Sequence, residues 1–202
     1  MAPPRKHQTD VILDATRALV LAHGPRAASV AAIAEASGAP VGTLYHRFGN
    51  RDGVVAAAWL RALNRFQSKA LEAGGAAAIR TPLDRAIAMA VAAVAFAREG
   101  PDDARLLLTI RPGDLLDGQP DADFHKTLAE MNAPLIDKVR ELAQQLYGSG
   151  DARAIDAVSR AVADLPYAVV RRHAHDEPMP PWLEADVAAS TRAMLLSFSK
   201  GA

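Results

Sequence analysis

Between Gly38 and Asp52 the chain reads GAPVGTLYHRFGNRD. Thr43, Tyr45 and Arg47 crowd hydroxyl and guanidinium groups into one short stretch, with His46 among them, while Leu44 and Phe48, four residues apart, form an apolar side that must be covered. Gly42 has no side chain, so backbone there can approach a phosphate closely. Ser29 and Arg51 fall at expected helix N termini, where exposed amides favour anions. Groups of these kinds on a segment anchored from behind suit contact with phosphates and base edges.

The flanking sequence supplies the elements that hold such a segment. Thr9 is a plausible N-cap for a first helix from about Asp10, with Ile12, Ala15, Leu19 and Ala22 on one face, ending at Gly24 and Pro25. Ser29 caps a second helix over Val30–Ser37, and Gly38 ends it. A third short helix follows from Pro40 to about Phe48. Asn50 then caps a long fourth helix through Trp59, Leu63 and Phe66. Three short helices joined by tight turns form a helix-turn-helix, with Ile33, Leu44 and Phe48 closing a small core against Ile12 and Leu19.

The rest of the chain also reads as helix, near 82–99, 102–110, 121–147, 151–175 and 181–199. The breaks EGP, RPGDLLDGQP, GSGD and DEPMPP are rich in turn residues. Phe124, Leu128, Met131, Leu135, Val139, Leu142 and Leu146 make one continuous apolar stripe, which Pro134 should kink or split at Asn132. Ile155, Val158, Val162, Leu165 and Val169 make another, with Pro166 in its second half. Leu183, Val187, Met194 and Phe198 recur along the last helix. One chain does not easily bury both of these last stripes. Pairing them with a symmetry mate predicts a four-helix bundle, with Ile155, Val158, Val162, Leu183, Val187, Met194 and Phe198 at the dimer interface.

Composition narrows the field. Half of the 202 residues are hydrophobic, yet only 5% are aromatic and none is cysteine, which favours helix and excludes disulfides and thiolate metal sites. The apolar run Ile87–Ala97, between Arg85 and Arg98, is shorter than the about 20 residues a bilayer requires. The opening MAPPRKHQTD has no apolar stretch after its cations, so it reads as a flexible basic arm over 1–9, whose Arg5 and Lys6 either reach a minor groove or have no role. Net charge is zero. Residues 1–53 hold six cations and four anions, a mild excess of +2 against −2 for the remainder. His173 and His175, two apart, do not share a helix face, so no metal site is expected. No cofactor is expected either, and GSG at 148–150 reads as a linker. No nucleophile, acid–base pair or phosphate loop points to an enzyme.

The stretch ILDATRALVLAHGPRAASVAAIAEASGAPVGTLYHRFGNRDGVVAAAW closely resembles the DNA-binding module of tetracycline-repressor-like (TetR) regulators. The turn glycine, the T-L-Y triplet and the closing aromatic carry the likeness over roughly residues 10–60. The resemblance implies an all-α protein: an N-terminal helix-turn-helix DNA-binding module over 10–53, then a helical effector-binding and dimerisation domain over 54–202. It implies DNA contacts from Thr43, Tyr45 and Arg47, with Val41 and His46 on or beside that face, Arg51 opening the fourth helix and Ser29 near a phosphate. It also implies an effector cavity among helices bearing Trp59, Phe66, Met89, Phe96, Met131 and Tyr167; Arg111, in the RPGDLLDGQP loop, is a candidate to gate that cavity or pair with an anionic ligand, the alternative being a plain surface arginine. Pro40 departs from the usual capping hydroxyl, Ala31 and Val41 from a common basic residue, and Gly53 weakens the start of the fourth helix. The function so implied is a cytoplasmic homodimeric repressor, released from a palindromic DNA operator by a small-molecule effector. A ligand-independent regulator or activator of the same fold is the alternative, and a small helical enzyme a remote third.

Overall fold

A computed structural model describes residues 5–110 and 122–199, with side chains over 9–110 and 124–198. Every regular element among them is helical: α1 (Arg5–His23), α2 (Val30–Ser37), α3 (Val41–Phe48), α4 (Arg51–Gly75), α5 (Pro82–Glu99), α6 (Pro101–Thr109), α7 (Ala122–Tyr147), α8 (Ala152–Ser159), α9 (Leu165–His173) and α10 (Leu183–Ser199). A 3₁₀ turn over Pro25–Ala27 follows α1, and a π-helical segment over Arg160–Asp164 joins α8 to α9. No described helix is long and apolar enough to cross a membrane. No group of three or more His, Asp or Glu among the described residues could hold a metal ion.

Two compact units emerge, one of Met1–Asn64 with Asp102–Leu128, the other of Arg65–Pro101 with Ala129–Ala202. In the first, Ile12, Val20, Ile33, Leu44, Val54, Val55 and Trp59 form the core, joined by Leu106, Ile110 and Phe124, while Leu19 and Phe48 pack against it. Helix α1 differs from expectation in two respects. It begins at Arg5, so Thr9 is an interior residue and not its N-cap. Its buried side is Ile12, Leu13, Thr16 and Val20, whereas Ala22 is exposed. Thr16 escapes a hydrophobicity pattern because its hydroxyl donates to Ile12 O at 2.8 Å, which satisfies the polar group inside the core. Asp103 on α6, only 5% exposed, accepts from Arg17 on α1 and fastens α6 into this unit. Arg61 reaches Asp10 at 3.1 Å and Asp14 at 2.5 Å, tying α4 to α1.

The second unit centres on Ala86, Met89, Val139, Leu142, Ala143, Ala154, Val158, Ala161, Val162 and Leu195. Small residues let its helices approach closely: a Cβ on Gly74 would come 2.5 Å from Met89 Cγ. Helix α7 runs unbroken through Pro134, contrary to the split expected at Asn132. Asn132 instead accepts from Gln67 Nε2 at 2.6 Å, a link between α7 and α4. Pro166 does alter its helix, because a proline has no N–H and clashes with the carbonyl a turn before it. The chain widens into the π-helical segment, where Leu165 N–H reaches Arg160 O. In that five-residue register the next donor would be Pro166, aimed at Ala161 O. Thr191, fully buried on α10, donates its hydroxyl to that carbonyl at 3.3 Å. Asp151 caps α8, and the Ala154 N–H with Ser149 Oγ holds its carboxyl below the ordinary range.

Four of the seven residues expected to meet a symmetry mate are covered inside one chain, and the other three are partly covered. Val158, Val162, Leu183 and Val187 are each at most 7% exposed, and Ile155, Met194 and Phe198 pack against the core of the second unit. Helical spacing finds the apolar face of a helix; it does not say which neighbour covers it.

Candidate nucleic-acid interface

The third helix is set by the turn before it. Ser29 Oγ accepts from Ala32 N at 3.1 Å and starts α2. Gly38 ends α2 in the left-handed region (φ 67, ψ 9), a conformation costly to any branched residue. Ala39 N then donates to Ser37 Oγ at 3.3 Å. Pro40 stands where α3 would take its cap and offers no side-chain acceptor to the first-turn amides. Its carbonyl accepts from Thr43 N at 2.8 Å. On α3 itself Leu44 is 1% exposed and is the anchor.

What α3 leaves outside is a mixed surface. Val41 is 45% and Tyr45 52% exposed. Gly42 and His46 are exposed and Thr43 half-buried. A Cβ added at Gly42 would meet nothing within 4 Å, so no part of the chain requires glycine there.

The two arginines of the expected contact set are already engaged. Arg47 Nη1 donates to Thr9 Oγ1 at 2.9 Å, which ties α3 to α1. Arg51 Nε donates to Ala28 O at 3.3 Å, and its guanidinium also pairs with Asp52. Arg51 thereby braces the start of α4 against the residue before Ser29.

Asn50 caps α4 as expected, accepting from Gly53 N at 2.8 Å. Gly53 is not a mere weakness of that helix. A Cβ there would lie 1.9 Å from Phe48 O, so α3 and α4 can close on each other only through a glycine. No spacing rule reveals this. Nor does one reveal Thr9 as the partner of Arg47, 38 residues away in the chain.

The residues expected around an effector do not all fall together. Phe66 and Phe96 meet edge to face, with centroids 5.6 Å apart, and Met89 is 2% exposed; these belong to the second unit, as does half-buried Met131. Trp59, 6% exposed, is instead part of the first unit's core, where its Nε1 has no hydrogen-bond partner. Tyr167 is 51% exposed and lines no interior, because the residues of α9 that turn inward are Pro166 and Val170. Arg111 lies outside the described residues.

Residues 12–58 match the family model described as bacterial regulatory proteins, tetR family. Among solved structures, a putative transcriptional regulator from Pseudomonas aeruginosa PAO1 is similar with a TM-score of 0.76 at 21% identity, over 98% of this chain and 93% of that one. A TetR family transcription regulator from Marinobacter aquaeolei VT8 gives 0.73 at 16% identity, over 95% of each chain. The fatty acid degradation regulator FadR from Bacillus halodurans gives 0.69 at 19% identity, over 92% of this chain and 97% of that one. At such identities the likeness is one of fold. No curated protein matches the chain by sequence.

Proposed function

We propose, for this chain, which belongs to the tetR family of bacterial regulatory proteins and is a DNA-binding transcriptional regulator, that it acts in the cytoplasm as a homodimeric repressor released from a palindromic operator by a small molecule. The observation that carries the reading is α3: a short helix held from behind by buried Leu44, with Val41, Tyr45 and His46 exposed along it. DNA contacts come from Ser29, Val41, Gly42, Thr43, Tyr45 and His46. Arg47 and Arg51 contribute charge while remaining tied to Thr9 and Ala28. The functional division is a reading module over 10–53 and an effector and dimerisation domain over 54–202; residues 5–9, expected as part of a basic arm, belong to α1.

Two such helices enter successive major grooves only if they lie roughly 34–36 Å apart, which requires a second copy. The last two helices favour one. Tyr167 and Leu196 are 51% and 47% exposed, and Ala185, Ala189 and Ala193 lie exposed along α10. Large apolar groups beside small ones allow close helix packing across a two-fold axis. For the effector, Phe66, Met89, Phe96 and Met131 offer an apolar lining. A ligand that fits only one spacing of the reading helices would shift operator affinity by about 1–3 kcal/mol.

The test combines sedimentation with binding to duplexes enriched by the protein from a random library. Tyr45→Phe removes one hydroxyl from an exposed ring, so the fold should persist while affinity drops by roughly tenfold. Leu196→Glu should yield monomers that bind DNA poorly. Wild-type protein that sediments as a monomer at micromolar concentration, or a Tyr45→Phe variant that binds as wild type, would refute the corresponding half.

A further inference from the structure

A protein reads a base pair in the major groove in one of two ways. It hydrogen-bonds to base-edge donors and acceptors, or it makes apolar contact with the 5-methyl group of thymine. The helix VGTLYHRF contains no Asn, Gln or Lys, and Arg47 is its one arginine. Arg47 sits in the last turn and donates to Thr9 Oγ1 at 2.9 Å. The first turn therefore holds no side chain able to grip guanine or adenine with two hydrogen bonds.

That turn presents Val41 instead. It is the first residue of α3 and 45% exposed, next to Gly42, which adds no bulk. Tyr45 stands one turn further on, 52% exposed. In a helix-turn-helix the N-terminal residues of the recognition helix are the ones that meet base edges. An isopropyl group has no hydrogen-bonding atom, and the thymine methyl is the largest apolar group that any base edge presents in that groove. Val41 seated against guanine O6 or cytosine N4 would strip water from a polar atom and return nothing. Seated against a thymine methyl, it buries apolar surface on both sides.

We propose that Val41 determines specificity by reading a thymine through its 5-methyl group, so that each operator half-site carries a thymine facing the start of α3. The inference rests on the DNA-reading role proposed above. It adds which base is selected and by which atom.

Deoxyuridine differs from thymidine by that methyl group alone. Duplexes are first enriched from a random library with the full-length protein. Each thymine of the enriched half-site is then replaced singly by deoxyuridine, and binding is measured for wild type and for Val41→Ala. At one thymine the wild type should weaken by about fourfold, the worth of one buried methyl-sized group. In Val41→Ala, with helicity unchanged by circular dichroism, the same replacement should no longer matter. If no deoxyuridine affects the wild type on an enriched duplex, the inference is overturned while the DNA-reading role stands. It is equally overturned if Val41→Ala keeps the full deoxyuridine penalty, since another group then touches the methyl. A protein that enriches no sequence overturns the DNA-reading role and this inference with it.

Discussion

Substituting Gly42 by alanine separates what the helix wants from what a bound duplex wants. Gly42 lies inside α3, where glycine is less favourable than alanine by about 1 kcal/mol because it loses more backbone freedom on folding. A Cβ at this position would meet nothing within 4 Å, so no clash offsets the gain. Gly42→Ala should therefore stabilise the reading unit by close to that amount, raising the midpoint of thermal unfolding by about 2–4 °C for a chain of this size. The same methyl group would stand where a phosphate approaches the uncapped N terminus of α3. If it costs one charge-assisted hydrogen bond, ~1.5–3 kcal/mol, affinity for the enriched duplex should fall by roughly tenfold to a hundredfold. Calorimetry and fluorescence anisotropy measure the two effects independently. A variant that is more stable and binds as tightly as wild type would refute the close approach at Gly42. One that loses stability would refute the account of the helix itself.

Two further substitutions probe the scaffold. Gly53→Ala places a Cβ on Phe48 O and should lower the midpoint of thermal unfolding and cost DNA affinity together, because α3 must move to make room; a variant that binds normally would show that the α3–α4 turn yields freely. Thr191→Val leaves Ala161 O without its hydroxyl donor and should destabilise the protein by about 1–3 kcal/mol, whereas Thr191→Ser, which keeps the hydroxyl, should recover most of the loss; a near-neutral Thr191→Val beside a destabilised Thr191→Ser would mean that packing of the methyl group, and not the hydrogen bond, matters at this site.

How much of this was legible in the sequence depended on how local the cause was. Helix α2 begins and ends where Ser29 and Gly38 predict, and Asn50 caps α4 as read, because a cap is a bond between residues three apart. The anchor Leu44 was legible from its spacing with Phe48. Causes lying across the fold were not. Thr16 sits in the core because of one hydroxyl bond, Arg47 turns to Thr9, and Gly53 is dictated by a carbonyl of the preceding helix. Proline gave opposite results at two sites, and the residue type alone does not tell them apart. Pro166 forces a π-helical segment and draws Thr191 into the gap, while α7 carries Pro134 without a break.

The apolar stripes show the limit most clearly. Val158, Val162, Leu183 and Val187 have the spacing of an interface and the burial of a core. A periodic stripe is equally consistent with a partner subunit and with a neighbouring helix of the same chain, and only the packing decides. With those four residues covered inside one chain, the proposed dimer would draw on Tyr167, Leu196 and the exposed alanines of α10. The α10 residues step by four and three (185, 189, 193 and 196) and share a face, but alanine serves equally on both faces of a helix, so that spacing does not mark the face as exposed.

Charge leads to a related conclusion about how DNA would be selected. The chain is neutral as a whole, and residues 1–53 hold only two more cations than anions. Both arginines of the segment from Gly38 to Asp52 also have protein partners, Arg47 on Thr9 and Arg51 on Ala28 and Asp52. Attraction to phosphate grows with the number of cations that displace counterions, and here that number is small. Non-specific affinity would then be weak, and a larger share of binding would come from contacts that depend on sequence. The exposed surface of α3 is suited to this: Val41 and Tyr45 contribute apolar area, and Thr43 and the Tyr45 hydroxyl directional bonds, which select sequence where they reach base edges. A reader poor in charge and rich in short-range contacts gives up affinity everywhere in order to keep it at a few sites.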